Sequence, residues 1–139
     1  MPPTPSEPRA SARTIALAAS ADVCAVLAFV LAGRRSHDEM TAIAGIASTA
    51  WPFLVGLGVG WGVSRASRQP LSALRTGLPV AAVAVAVGMV LRVISGQGTA
   101  LAFIIVACVV LGALLTGWRA LAHAVASRRR QPLALEETT

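Results

Sequence analysis

An aspartate, Asp22, stands inside "AASADVCAVLAF", residues 18 to 29, a run otherwise built of small and apolar side chains. In water such a residue would be unremarked. Inside a hydrocarbon layer a charged side chain costs ~3 kcal/mol on insertion scales, which makes an intramembrane carboxylate a functional candidate by default. Two chemistries suit it. A neutral or hydrogen-bonded carboxyl can fix packing between helices, and an accessible one can carry a proton or a cation. A packing role predicts that Asp22→Asn is tolerated, because an amide keeps most of the hydrogen bonds.

Other polar groups could join it. "STAWPF" contains Ser48, Thr49, Trp51 and Pro52 within five residues. Pro52 cannot donate to the carbonyl of Ser48, so that carbonyl is left free and a helix kinks there. Arg92, in "GMVLRVISGQG", is a second charge in an apolar run. The loop "GRRSHDE" holds His37 among two arginines, an aspartate and a glutamate. Consecutive residues rarely converge on a metal, and no nucleophile with an orienting partner accompanies them. A solvated, salt-bridged loop is the first reading, with pH sensing by His37 as the functional one.

The elements that position these residues follow from composition. Of 139 residues, 55% are hydrophobic and 13% charged, with mean hydropathy +0.71. That leaves too little polar surface for a soluble domain of this size. Four apolar stretches, about 15–33, 42–63, 78–95 and 99–118, each approach the ~20 residues that span a ~30 Å hydrocarbon core. The expected fold is all-α: an integral membrane four-helix bundle of two antiparallel hairpins, joined by "SRASRQPLSALR". Residues 1–13 read as a disordered lead-in and 122–139 as a tail in which Pro132 discourages further helix. "WRALAHAVASRRR" can nevertheless carry the fourth helix on along the interface.

A cleaved signal peptide competes for the N-terminus, but the apolar stretch before Ala19-Ser20-Ala21 is only Ile15 to Ala19, too short for its hydrophobic region. An uncleaved first span is the stronger reading.

The net charge of +6 comes from arginine, since the chain contains no lysine. The arginines flank spans instead of forming a patch interleaved with aromatics, which points to membrane topology and away from nucleic acid. With the N-terminus inside, Arg9, Arg13, Arg65, Arg68, Arg75, Arg119 and Arg128 to Arg130 lie inside; Arg34, Arg35 and Arg92 lie outside. Both termini are therefore expected in the cytoplasm of a cell with this protein in its inner (plasma) membrane.

In this frame Asp22 lies roughly 16 Å below the outer end of its span, near the bilayer middle, level with Trp51 and Pro52 at 1.5 Å per residue. Asp22 is expected to face that kink. Arg92 is expected to snorkel outward and pair with Asp38, Glu39 or helix-end carbonyls. Trp61 and Trp118 suit the interfacial aromatic belt. Cys24 and Cys108, inside spans, read as small hydrophobes, with no spacing that suggests a metal or cofactor.

"GLGVGWG" places glycine at 56, 58, 60 and 62. Gly56-x-x-x-Gly60 and Gly58-x-x-x-Gly62 permit close backbone approach, within the bundle or between copies. No strand precedes them, and Trp61 stands where a dinucleotide fingerprint needs its third glycine.

Taken together, "DVCAVLAF", "LAGRRSHDE", "TAWPFLVG", "GMVLR", "SGQGTALAFIIVA" and "GWRA" resemble a family of small four-helix bacterial membrane proteins, catalogued as domain of unknown function 3054, over about residues 14 to 121. The residues carrying the resemblance are Asp22, His37, Trp51, Pro52, Phe53, Gly88, Arg92, Gly96, Gly98, Gly117, Trp118 and Arg119. It implies a four-span architecture and no particular activity.

The functional expectation is a non-enzymatic structural, accessory or self-assembling subunit, in contact with lipid and with its own copies or other membrane proteins. The alternative is a proton- or cation-coupled transporter or channel component that uses Asp22.

Overall fold

A computed structural model describes residues 9–34 and 39–136, and the side chains among these except 39–42 and 131–136. Four helices make up almost all of it: α1 Ala12–Gly33, α2 Glu39–Val63, α3 Leu78–Ile94 and α4 Leu101–Glu136. The stretches Ala12–Gly33, Ile43–Val63, Ala73–Ile94 and Leu101–Arg130 are long and apolar enough to cross a membrane.

Local chemistry sets the helix ends. Ser11 caps α1, its hydroxyl accepting from the Thr14 amide at 3.2 Å, which satisfies one of the free N–H groups of the first turn. A π-helical turn, Ala73–Gly77, leads into α3, capped in the same way by Ser72 on the Arg75 amide. Pro79 sits in the first turn of α3, where no intrahelical donor is lost. Between α3 and α4, Gly96 and Gly98 take φ of +71° and +73°, backbone that residues with a Cβ adopt at a cost.

Pro52 lies inside α2, and the helix continues past it. One expectation about the helices changes. Helix α4 continues through Pro132 to Glu136, for a length of about 54 Å that exceeds any hydrocarbon core. The donor lost at Pro132 affects only the last turn and a half.

The core is built on two layers. Phe29, Phe53 and Phe103 meet with ring centroids 5.5 to 6.1 Å apart. Below them Val26, Leu57, Val80, Val85, Leu111 and Leu115 close the interior. The most extensive helix contact joins α2 to α3, and glycine makes it. A Cβ added at Gly56 would fall 2.5 Å from the Ala84 carbonyl oxygen, and one at Gly60 3.0 Å from that of Val80. On the facing helix, a Cβ at Gly88 would fall 2.7 Å from the Phe53 ring. These pairs run antiparallel and are spaced by one turn, the small-xxx-small seam of apolar helices. Gly58 and Gly62 point the other way, with no atom within 4 Å of an added Cβ. The exterior is apolar, with Leu17, Val55, Val63, Val90, Ile105 and Val109 exposed; Cys24 and Cys108 lie on it too.

The two glycine pairs should therefore behave differently. Gly56→Val is expected to lose about 1–3 kcal/mol through overpacking, while Gly58→Val stays close to the parent protein. Unfolding in detergent micelles compares them, and equal loss in both would refute the seam.

Candidate functional site

Spacing along α1 sets up the site. Ala18, Asp22, Val26, Phe29 and Val30 are its buried residues, one stripe at helical spacing. Phe29 meets Phe53 of α2, and seven residues earlier Asp22 meets Trp61 of the same helix. These pairings displace α1 along α2 by roughly eight residues, or about 12 Å, from a register counted outward from the connecting loop.

Asp22 is completely buried, and four N–H groups converge on its two oxygens. Trp118 Nε1 and Arg119 Nη1 donate to Oδ1 at 2.8 and 2.7 Å. Trp61 Nε1 and Arg119 Nη2 donate to Oδ2 at 2.8 and 2.7 Å. The Asp22–Arg119 contact is a bidentate salt bridge with both side chains at zero exposure. Four donors on one carboxyl group occupy the acceptor positions of both its oxygens.

Arg119 is matched nearly as fully. Besides Asp22 it gives Nε to the Pro70 carbonyl at 2.8 Å and Nη1 to the Leu115 carbonyl at 2.6 Å. Four of its five N–H bonds are thereby used. Its guanidinium carbon lies 4.5 Å from the Trp118 ring centroid, within cation–π range. Gly77 lets the π-helical turn press against this part of α4: a Cβ there would fall 3.1 Å from the Leu115 carbonyl and 3.3 Å from Arg119 Cδ. The cluster thus ties α1, α2, α4 and the α2–α3 linker together at one end of the bundle.

The expected partners of Asp22 lie elsewhere. Trp51 is 40% exposed on the outside of α2. Pro52 is buried, but Ser48 and Thr49 both turn their hydroxyls back to the Gly45 carbonyl, at 3.0 and 2.9 Å. The displaced register is the reason: the depth count started both helices level at the loop. Asp22 is central in α1 yet level with the last turn of α2. Trp61 and Trp118, read as belt residues, are ligands of the carboxylate, and Arg119 is its counter-ion.

Arg92 lies at the opposite end. It donates Nη1 to the Gln97 side-chain oxygen at 2.9 Å and Nε to the Gly98 carbonyl at 3.3 Å, with Phe103 beneath it at 4.5 Å. It holds the α3–α4 turn through the carbonyl of a loop residue. His37 and Asp38 lie outside the described residues, as does the side chain of Glu39. Among the described residues no three His, Cys, Asp or Glu side chains come together as a metal site.

Four apolar spans closed by a buried ion pair define a small multi-pass membrane protein. The chain belongs to the family described as "Protein of unknown function (DUF3054)", whose model matches residues 19–122. Neither a curated protein nor a solved structure matches it.

All four groups that meet the Asp22 oxygens are donors, so the expected tolerance of Asp22→Asn reverses: an amide NH2 would face two N–H groups and leave Arg119 uncompensated. Asp22→Asn or Arg119→Gln is expected to cost about 3–5 kcal/mol, and the pair Asp22→Leu with Arg119→Met to recover much of it. Unfolding followed by tryptophan fluorescence reads both, since Trp61 and Trp118 lie in the cluster. Additive losses in the double variant would count against the ion pair.

Proposed function

We propose that the chain is a non-enzymatic subunit of the plasma membrane, acting as a structural or accessory component through assembly with itself or with other membrane proteins. The observation that carries this is the closure of the one buried charged cluster among the described residues. Asp22 has no exposed surface and both its oxygens are occupied. A carboxylate that relays protons or cations needs a free acceptor and a path to it; this one serves to hold helices together. The apolar outer faces, including the open backbone at Gly58 and Gly62, then remain as the surface through which the protein acts.

The orientation we propose has both termini in the cytoplasm. Ala10 and Thr14 of the chain start, Pro70 and Arg75 of the linker region, and His123 of α4 line one cavity. Chain start, linker and the far part of α4 therefore share one end, and Arg9, Arg13, Arg65, Arg68, Arg75 and Arg128 to Arg130 go with them. Arg34 and Arg92 mark the opposite end. This asymmetry is the one that retains a segment on the cytoplasmic side.

Purified in mild detergent, the protein is expected to run as an assembly heavier than its 14.2 kDa chain, or with a co-purifying membrane protein. In sealed vesicles under a pH gradient it is expected to leak no faster than empty vesicles. A lone monomer, or a proton flux dependent on the protein, would overturn the proposal.

A further inference from the structure

The linker between α2 and α3 does more than reach Arg119. Its course is held by buried anchors, Ala66 and Pro70, by the Ala66 amide on the Trp61 carbonyl at 3.1 Å, and by the buried Thr76 hydroxyl on the Gln69 carbonyl at 2.6 Å. Arg65 takes φ of +51°, a left-handed backbone that non-glycine residues seldom adopt. That twist, followed by the Arg68 amide on the Arg65 carbonyl at 2.9 Å, turns the chain back on itself. The result is a cavity of about 290 Å³ walled by Ser64, Arg65, Arg68, Gln69, Arg75 and Thr76.

Three guanidinium-bearing residues thus share one small concavity. Among the described side chains Asp22 is the sole carboxylate, and Arg119 occupies it. Arginine's planar fork matches phosphate oxygens two at a time. On the same segment Leu71, Leu74 and Leu78 are exposed by 39%, 74% and 54%, three to four residues apart and flanking Arg75. A cationic pocket at the end of apolar spans, on a segment that also exposes leucines next to Arg75 in sequence, has the two halves of a lipid-binding site: one for a headgroup and one for the start of an acyl chain.

We propose that Arg65, Arg68 and Arg75 bind the phosphate of an anionic phospholipid at the linker end of the bundle. The ligand is a lipid and not a free anion because Arg75 stands at the start of the apolar stretch Ala73–Ile94, between the exposed Leu74 and Leu78, where acyl chains begin. This goes beyond the assembly role and does not depend on it. Topology alone would need only positive charge near the membrane, wherever it stood; the site needs these three residues.

The test is native mass spectrometry of the full chain released from nanodiscs containing phosphatidylglycerol and phosphatidylcholine in equal amounts. Wild-type protein is expected to retain the anionic lipid in preference to the zwitterionic one by roughly tenfold or more. The triple variant Arg65→Asn, Arg68→Gln, Arg75→Gln should lose that preference; asparagine at 65 suits the positive φ. Arg128→Gln, Arg129→Gln, Arg130→Gln removes equal charge from the tail and should keep it. Equal loss in both variants, or no preference in the wild type, overturns the site. Displacement of bound lipid by millimolar inorganic phosphate would reassign the pocket to a free anion and overturn the lipid reading.

Discussion

A buried carboxylate must be neutralised, and the structure of this protein follows from how Asp22 is neutralised. One charge brings four N–H donors to it, from three side chains on two other helices. Its counter-ion in turn requires a carbonyl from the linker. Leaving any of these groups unpaired in a low-dielectric interior would cost far more than aligning the helices to pair them. The register of α1, the path of residues 64–72 and the position of the α4 turn at Arg119 are thereby set together. None of them can shift independently.

That tie acts on a bundle whose interior supplies little directional packing. Between apolar helices in a membrane, lipid is as good a neighbour as another leucine, so close backbone approach and polar contacts must do what hydrophobic burial does in water. The α2–α3 seam uses the first means, with Gly56 and Gly60 against Ala84 and Val80. The Asp22 cluster uses the second. The phenylalanine layer fills the space that the glycines and alanines leave. At the other end Arg92 works as a smaller version of the same device, capping the turn at Gly96 and Gly98 with one carbonyl, one amide oxygen and one ring.

Much of the fold was legible because apolar length is a strong signal: four long runs separated by polar or glycine-containing breaks become four helices. The seam was half legible. Spacing marked Gly56, Gly58, Gly60 and Gly62 as two candidate faces, but only a neighbouring helix distinguishes the packed pair from the open one. The site was legible in one residue, Asp22. Its partners were assigned elsewhere because depth was counted from the loop, a method that assumes helices start level, and because Arg119 follows an apolar run as a boundary arginine does. Two signals pointed the other way. The apolar pattern continues past Arg119 through "ALAHAVA", so that residue is inside a helix. A lone intramembrane carboxylate also requires a cation, and "GWR" places one beside a tryptophan, the side chain with a buried N–H to give.

The choice of arginine at 119 follows from the number of partners. A lysine ammonium has three donors around a single nitrogen, a compact point charge that cannot reach two carboxylate oxygens, the Leu115 carbonyl and the Pro70 carbonyl at once. The guanidinium spreads its donors over a plane, so Nη1 and Nη2 face Asp22 while Nε turns to the linker. The guanidinium carbon also lies over the Trp118 ring while that indole's N–H meets the same carboxylate. The cluster is thus a geometric lock as well as a charge balance. Its specificity lies in how many separate segments one planar cation can reach.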